Sequence, residues 1–408
     1  MTVTLSELSA GQHAPVAELI QPYEAFPKVR EPQGPTQTVV EWLRAISETD
    51  GATFSQVVEG PTLWKAEEFK NAPEKWQRTW SAEQLADLED AYTKFEATGL
   101  PLTAITKESF PLSPSLTAFL REIRSVIVDG QGFILIQGLP TENWPVLKSS
   151  AIYLAIGTIL GYVLSQNGKG HVLGHVKDLG NDPTQIHKVR IYSTNARQFF
   201  HTDASDIVGL LCLHKAQEGG ESDVVSAHNI WNTLQAERPD VAKLLATPNW
   251  YFDRKGEVSE GLDGWVKKAV FYYHDGHVIS HYDPYFVKSI GRHVDAGLIP
   301  GHSQEQLEAV EVLEQTAAKL KPSSSFINPL HLLISSPTRF VADTHVFHAR
   351  TAYTDFAPPA PRRHLLRLWL STPVAEGGWK RPFPDSDKKK RGGIQVNSQP
   401  ETCPLDGE

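Results

Sequence analysis

The segment RQFFHTDASD, residues 197–206, sets a histidine and an aspartate two residues apart, His201 and Asp203, where a turn-forming run gives way to an apolar one. Side chains at i and i+2 of a strand share a face. An imidazole and a carboxylate so placed make either an ion pair or two ligands of one metal. Iron(II) oxygenases use two histidines and one carboxylate on one face of an octahedron and leave the remaining positions open. On that reading the third ligand is a histidine far along the chain, on a strand adjacent in space. The segment ADTHVFHARTAY offers His345 and His348.

Two further segments bear on the choice. GGES, residues 219–222, reads as a tight glycine turn that brings the Ser222 hydroxyl to the start of a new strand. RRHLLRLWL, residues 362–370, puts arginines into a strongly apolar strand, with Arg363, Leu365 and Arg367 on one face. Arginine is rarely buried without an anion, and its fork matches a carboxylate at two points. Two same-facing arginines imply two carboxylates to hold, or else ion pairs with protein acids.

Taken together, FHTD, GGES, FHART and RRHLLRLWL, preceded by GFILIQGLP, resemble the taurine dioxygenase / clavaminate synthase-like family of iron(II)- and 2-oxoglutarate-dependent oxygenases, nearest its fungal-type small-molecule branch. The resemblance spans roughly residues 60–375, with the motifs in the family's order. It implies an α+β fold: a double-stranded β-helix (jelly-roll) core with helical N-terminal and inserted elements. It implies Fe(II), with 2-oxoglutarate and O2 as co-substrates. His201, Asp203 and His348 match the metal triad, with His345 the second choice for the distal histidine. Ser222 and Arg363 match the positions that contact the far carboxylate of 2-oxoglutarate, with Arg362 a rival for Arg363. Arg367 matches an arginine that in some relatives holds an acidic group of the substrate. Asn167, His175 and Lys177, in QNGKGHVLGHVKD, are candidate substrate contacts near the mouth of the site, Asn167 first among them.

The implied activity is hydroxylation, desaturation or oxidative cyclisation of a small amino acid or other carboxylate, with release of succinate and CO2. An aspartate stands where halogenating relatives have a small residue, which excludes halogenation. Two other readings are a zinc-type metallohydrolase and a non-catalytic jelly-roll module for an acidic ligand. The first leaves the arginine pair unexplained, and the intact triad argues against the second.

The elements that must position these residues change character along the chain. Residues 21–62 read as an extended arm with one helical patch, TVVEWLRAIS. Helices follow from Ser81 and Ser113, then a buried strand in GFILIQGLP. AIYLAIGTILGYVLSQ, residues 151–166, is short for a membrane span and reads as a buried helix. Short strands alternate with turns from about residue 170 to 375, with a hairpin turn at Asp275-Gly276 and helices after Ser226 and Ser303. The chain divides into an N-terminal arm and helical segment packing on the core (1–115), the double-stranded β-helix oxygenase core (116–375) and a partly flexible C-terminal tail (376–408).

The 408 residues are 40% hydrophobic, and 39 basic against 48 acidic residues leave a net charge of -9. That balance offers no nucleic-acid surface, and the basic run Lys388–Arg391 reads as a solvated tail. Cys212 reads as a buried hydrophobe, and two cysteines make no disulfide framework. With no signal peptide pattern at the start, the expected setting is cytoplasmic, with a small-molecule partner, no nucleic acid, no membrane and a possible homo-oligomer.

Overall fold

The computed structural model describes residues 57–65, 67–321 and 337–407. Most of the arm, with its TVVEWLRAIS patch, lies outside them.

Helix α1, Ala82–Glu96, starts where a capping box closes: Ser81 Oγ accepts from Gln84 N, and the Gln84 side chain accepts from Ser81 N. Helix α2, Pro114–Val128, has Ser113 as its cap and proline in its first turn. Helix α3, Val146–Leu160, is apolar on nearly every side and buried accordingly. It begins and ends earlier than the apolar run suggests. The backbone breaks at Gly161, and Tyr162–Val163 leaves the helix to form a strand, β3, against Leu370 and Ser371. Among the described residues no helix is long and apolar enough to cross a membrane.

These helices pack on one face of a large sheet. Its strands run β1 (Gln77–Thr79), β2 (Phe133–Gln137), β13 (Thr338–Ala342), β6 (Ile207–His214), β16 (His364–Ser371) and β3, with β4 (Gly174–Lys177) also paired to β16. Only the β1–β2 pair is parallel among these described pairings. Alternation along β16 decides its faces. Leu366, Leu368 and Leu370 enter the helix-side core, so Arg363, Leu365 and Arg367 are left facing the other way.

A second sheet joins β5 (Gln198–His201), β14 (Val346–Arg350) and β8 (Ser222–Ser226). The same alternation sends Phe347 and Ala349 into a second core and leaves His348 and Arg350 on the opposite face. That core is built with α4 (Ala227–Glu237), α5 (Pro239–Leu245) and α6 (Gln304–Leu320). Short pairs complete the strands: β7 (Glu218–Gly219) with β15 (Tyr353–Thr354), β9 (Trp250–Asp253) with β10 (Trp265–Lys268), and β11 (Phe271–His274) with β12 (His277–Ser280). The last turns through Asp275 and Gly276, both at positive φ.

The segment after residue 376 folds back on the sheets. Lys388, Lys389 and Lys390 are exposed, as the basic run suggests, but Arg391 is not. It is 1% exposed and pairs with Asp206 at 2.8 Å, where Arg381 also reaches the same carboxylate at 3.2 Å. Further on, Thr402 bridges His171 and Asp406 pairs with Lys177. A composition rich in Pro, Gly and Lys gives no sign of partners supplied by distant strands.

Candidate metal centre and flanking cavities

His201 is the last residue of β5, and β14 places His348 directly opposite it in register. Their rings lie 4.1 Å apart between centroids. Asp203 is not on the strand, contrary to the simple same-face reading of the HxD spacing. The chain leaves β5 after His201, and Asp343 captures the turn: its carboxylate accepts from Asp203 N at 2.7 Å, Ser205 N at 3.0 Å and Ser205 Oγ at 3.1 Å. The turn, not the pleat, brings the Asp203 carboxylate beside the imidazoles.

One ligand atom from each of His201, Asp203 and His348 lies within 4.8 Å of the others. The donor chemistry fits a divalent metal. His201 Nδ1 donates to Phe199 O at 2.8 Å, which leaves Nε2 as the bare lone pair, and the Gln198 amide donates to it at 2.9 Å. His348 Nε2 stands 3.8 Å from Asp203 Oδ2. Burial, with lesser repulsion from His201, Arg339 and Arg367, pushes His348 well below the ordinary histidine range, so it is a neutral donor. Asp203 Oδ2 also accepts from Trp369 Nε1 at 2.9 Å and lies 3.5 Å from Arg367 Nη1.

Asp203 lines several adjoining cavities, two of which flank the triad. The first lies between the sheets and is lined by the triad, Ser222, Arg339, Arg350, Arg363, Leu365 and Arg367. Arg363 is buried, stacks 4.8 Å from the Tyr353 ring centre and donates to Gly220 O at 3.2 Å. Gly220 sits at φ +77, and a Cβ there would come 2.7 Å from Arg363 Nε, so both its conformation and its bareness are used. Ser222 stands opposite Arg350 in register. Guanidinium nitrogens of Arg339, Arg350 and Arg363 are buried without a hydrogen-bond partner. Burial, then the neighbouring Arg363 charge, pulls Arg339 and Arg350 down to about 10. Orphaned buried donors of this kind fit a bound carboxylate.

The second cavity runs from Asp203, Gln198 and Arg367 past Trp369 to Arg190, Lys255, Lys268 and Asp283. Here Arg367 is already engaged: its Nε donates to Gln166 Oε1 at 2.8 Å, while Gln166 Nε2 donates back to Arg367 O at 2.8 Å.

The other expected positions separate clearly. Arg362 is exposed and donates to Asp178 O, away from the first cavity. His345 lies outside the triad, bonded to Thr344 Oγ1 and stacked 4.4 Å from Trp379. Asn167 lines neither cavity; its Oδ1 accepts from Lys169 N and His171 N and closes its own loop. His175 contacts His364 and Pro404 O, and Lys177 turns to Asp406. Sequence reading overlooked Asp343, Gln166, Arg339 and Arg350. Arg350 had a signal, since it follows His348 by two in a strand; Arg339 follows a segment whose strand register could not be read.

Comparison with known proteins agrees with this geometry. A family model described as "Taurine catabolism dioxygenase TauD, TfdA family" matches residues 98–321. FR-33289 synthase of Streptomyces rubellomurinus is 29% identical over 84% of this chain and 97% of its own length. The taurine hydroxylase-like protein SAT17 of Stachybotrys chartarum is 27% identical over 75% of this chain and 77% of its own. Among solved structures, an asparagine oxygenase in complex with Fe(II), 2S,3S-3-hydroxyasparagine and succinate superposes with a TM-score of 0.54 at 15% identity, covering 78% of this chain and 98% of that one. The non-heme iron oxygenase OrfP in complex with Fe and alpha-ketoglutaric acid gives 0.51 at 13% identity, covering 73% and 95%. The family match covers more than half of the 408 residues, and the chain belongs to the TauD, TfdA family of non-heme iron(II)- and 2-oxoglutarate-dependent dioxygenases.

Proposed function

We propose that this member of the TauD, TfdA family oxidises a small amino acid or related carboxylate, by hydroxylation, desaturation or oxidative cyclisation. The observation that carries the reading is the convergence of His201, Asp203 and His348 beside buried arginine nitrogens that lack partners. His201 and His348 Nε2 and the Asp203 carboxylate would hold the iron. Arg363 and Ser222, with Arg339 and Arg350 behind them, would hold the carboxylate of 2-oxoglutarate farther from the metal. Bound iron with 2-oxoglutarate and O2 supplies the oxidising power, releasing succinate and CO2. The protein's part is to fix the donors, orient the substrate and keep water out.

Several neighbouring features support the assignment. The two sheets contribute facing residues to one cavity, as the two faces of a double-stranded β-helix would. The phenyl and indole faces of Tyr192 and Trp369 stack on Arg367, at 4.5 and 4.8 Å, and hold its fork beside Asp203. The asparagine oxygenase complex holds 2S,3S-3-hydroxyasparagine and an OrfP complex holds (3S)-hydroxy-L-Arg, which makes amino acids the first substrates to try. A soluble, cytoplasmic enzyme is part of the same proposal.

The test is a screen of amino acids and small carboxylates for substrate-dependent succinate release, with product mass read in parallel. Gain of one oxygen marks hydroxylation; loss of two hydrogens marks desaturation or ring closure. Succinate release that depends on none of the compounds, with no product of altered mass, would contradict the small-carboxylate reading.

A further inference from the structure

The second cavity holds cationic side chains that differ in one respect. Arg190 is paired with Glu257, and Arg367 is held by Gln166 and Asp203. Lys268 has no such partner. It is 6% exposed, yet no carboxylate of the described residues lies within ion-pair distance of its ammonium. Its ammonium lies over the Phe252 ring, 4.1 Å from Nζ to the centroid. A cation–π contact offsets only part of the desolvation cost of a buried ammonium without an ion-pair partner. That cost is visible in the lysine itself, which burial pushes down to about 7.

Lys268 also occupies a junction. It lines both the second cavity and an adjoining one walled by the folded-back tail, and Asp203, Ala204 and His281 are shared by the same two. Lys255 faces the second cavity from a tight turn, with its ammonium 5.2 Å from the Phe286 ring and no acid in ion-pair distance among the described residues. Asp283 is the one carboxylate lining this cavity beyond Asp203; its Oδ1 accepts from Tyr285 N at 2.7 Å, and its single charge, beyond ion-pair distance, is shared between Lys268 and Lys255.

We infer that Lys268, assisted by Lys255, is the specificity-determining anchor for an acidic group at the end of the substrate remote from the reacting carbon. The inference rests on the reading of His201, Asp203 and His348 as the iron site. It moves the acidic anchor away from Arg367, whose Nε is already bonded to Gln166 and whose Nη1 faces Asp203. The anion would supply the charge that the buried ammonium lacks. The substrate class is a small oxyanion-bearing molecule whose acidic group sits across the cavity from the metal.

The test uses the whole protein, loaded anaerobically with Fe(II) and 2-oxoglutarate so that the arginine side is filled. Acetate, methanesulfonate and methylphosphonate are titrated calorimetrically, and the strongest of the three identifies the preferred acid. Wild type is expected to bind at least one, Lys268→Met to bind it about tenfold to a hundredfold more weakly, and Lys268→Arg to restore most of the loss. No binding by wild type, or equal binding by Lys268→Met, overturns the inference. A measurement without any variant runs beside it: the bound anion should protect Lys268 from acetylation in wild type, read by peptide mass, and no protection overturns the inference too. Failure of the iron reading would show separately, as the absence of a visible charge-transfer band in the loaded wild type.

Discussion

The arginine-lined and lysine-lined cavities beside Asp203 are built on different principles. The arginine side is made of strand residues whose direction the pleat dictates: Ser222 on β8, Arg339 on β13, Arg350 on β14, and Leu365 and Arg367 on β16, with Arg363 just ahead of that strand. The lysine side is made of strand ends, turns and a neighbouring tail: Lys255 in a turn, Lys268 at the end of β10, and Arg381 and Gly393 walling the adjoining cavity. A site for an invariant co-substrate can be rigid. A site that sets substrate choice is free to vary when it stands on loops.

Substitutions can break that comparison at its centre and then on one side at a time. Asp203→Ala touches both sides and should have the largest effect, abolishing iron-dependent turnover while circular dichroism stays native; retained activity would remove Asp203 from the ligand set. Arg391→Met should cost about 3 kcal/mol, read as a shifted urea midpoint, because it leaves Arg381 as the one cation paired with Asp206 among the described residues, beside the Thr372 N–H. That loss should also loosen the tail wall next to Lys268 and spare the arginine side.

Arg363→Met should act on the arginine side alone. It should weaken 2-oxoglutarate binding about tenfold to a hundredfold without changing iron affinity. Acid should also act at buried histidines away from both sites. Burial pushes His228 and His302 down to about 4, below the roughly 6.5 of an unfolded chain. Their neutral forms are favoured on folding, so their contribution is intact above about pH 6.5 and is lost as pH falls toward about 4. At pH 5 the loss is about 2 kcal/mol for each, read by denaturant melts against pH. The smallest effect is expected of Asn167→Ala, which should leave both co-substrate and anion binding unchanged because its side chain closes its own loop.

The same contrast explains what the sequence makes legible. His201, His348, Ser222, Arg363 and Arg367 were legible through the family resemblance, and alternation in apolar strands accounts for the way Arg363 and Arg367 face. Arg363 and not Arg362 enters the cavity for that reason. Asp203 joins the triad by a route the spacing does not encode, a turn held by Asp343 from 140 residues away. Gln166 was passed over for its neighbour Asn167, because nothing in residue type says which of two adjacent amides turns inward. Arg391 reads as part of a solvated tail; only the tertiary packing shows that it and Lys268 are buried. Helix starts at Ser81, Ser113 and Ser303 were legible because caps are local chemistry.

The central claim is that the triad and the arginine cavity hold iron and 2-oxoglutarate together. The most direct measurement is an anaerobic titration of metal-free protein with Fe(II) and then 2-oxoglutarate, followed by visible absorption. The account predicts a weak charge-transfer band that needs both components and disappears in Asp203→Ala. Folded protein that takes up both components without that band, or a band that survives in Asp203→Ala, would contradict it.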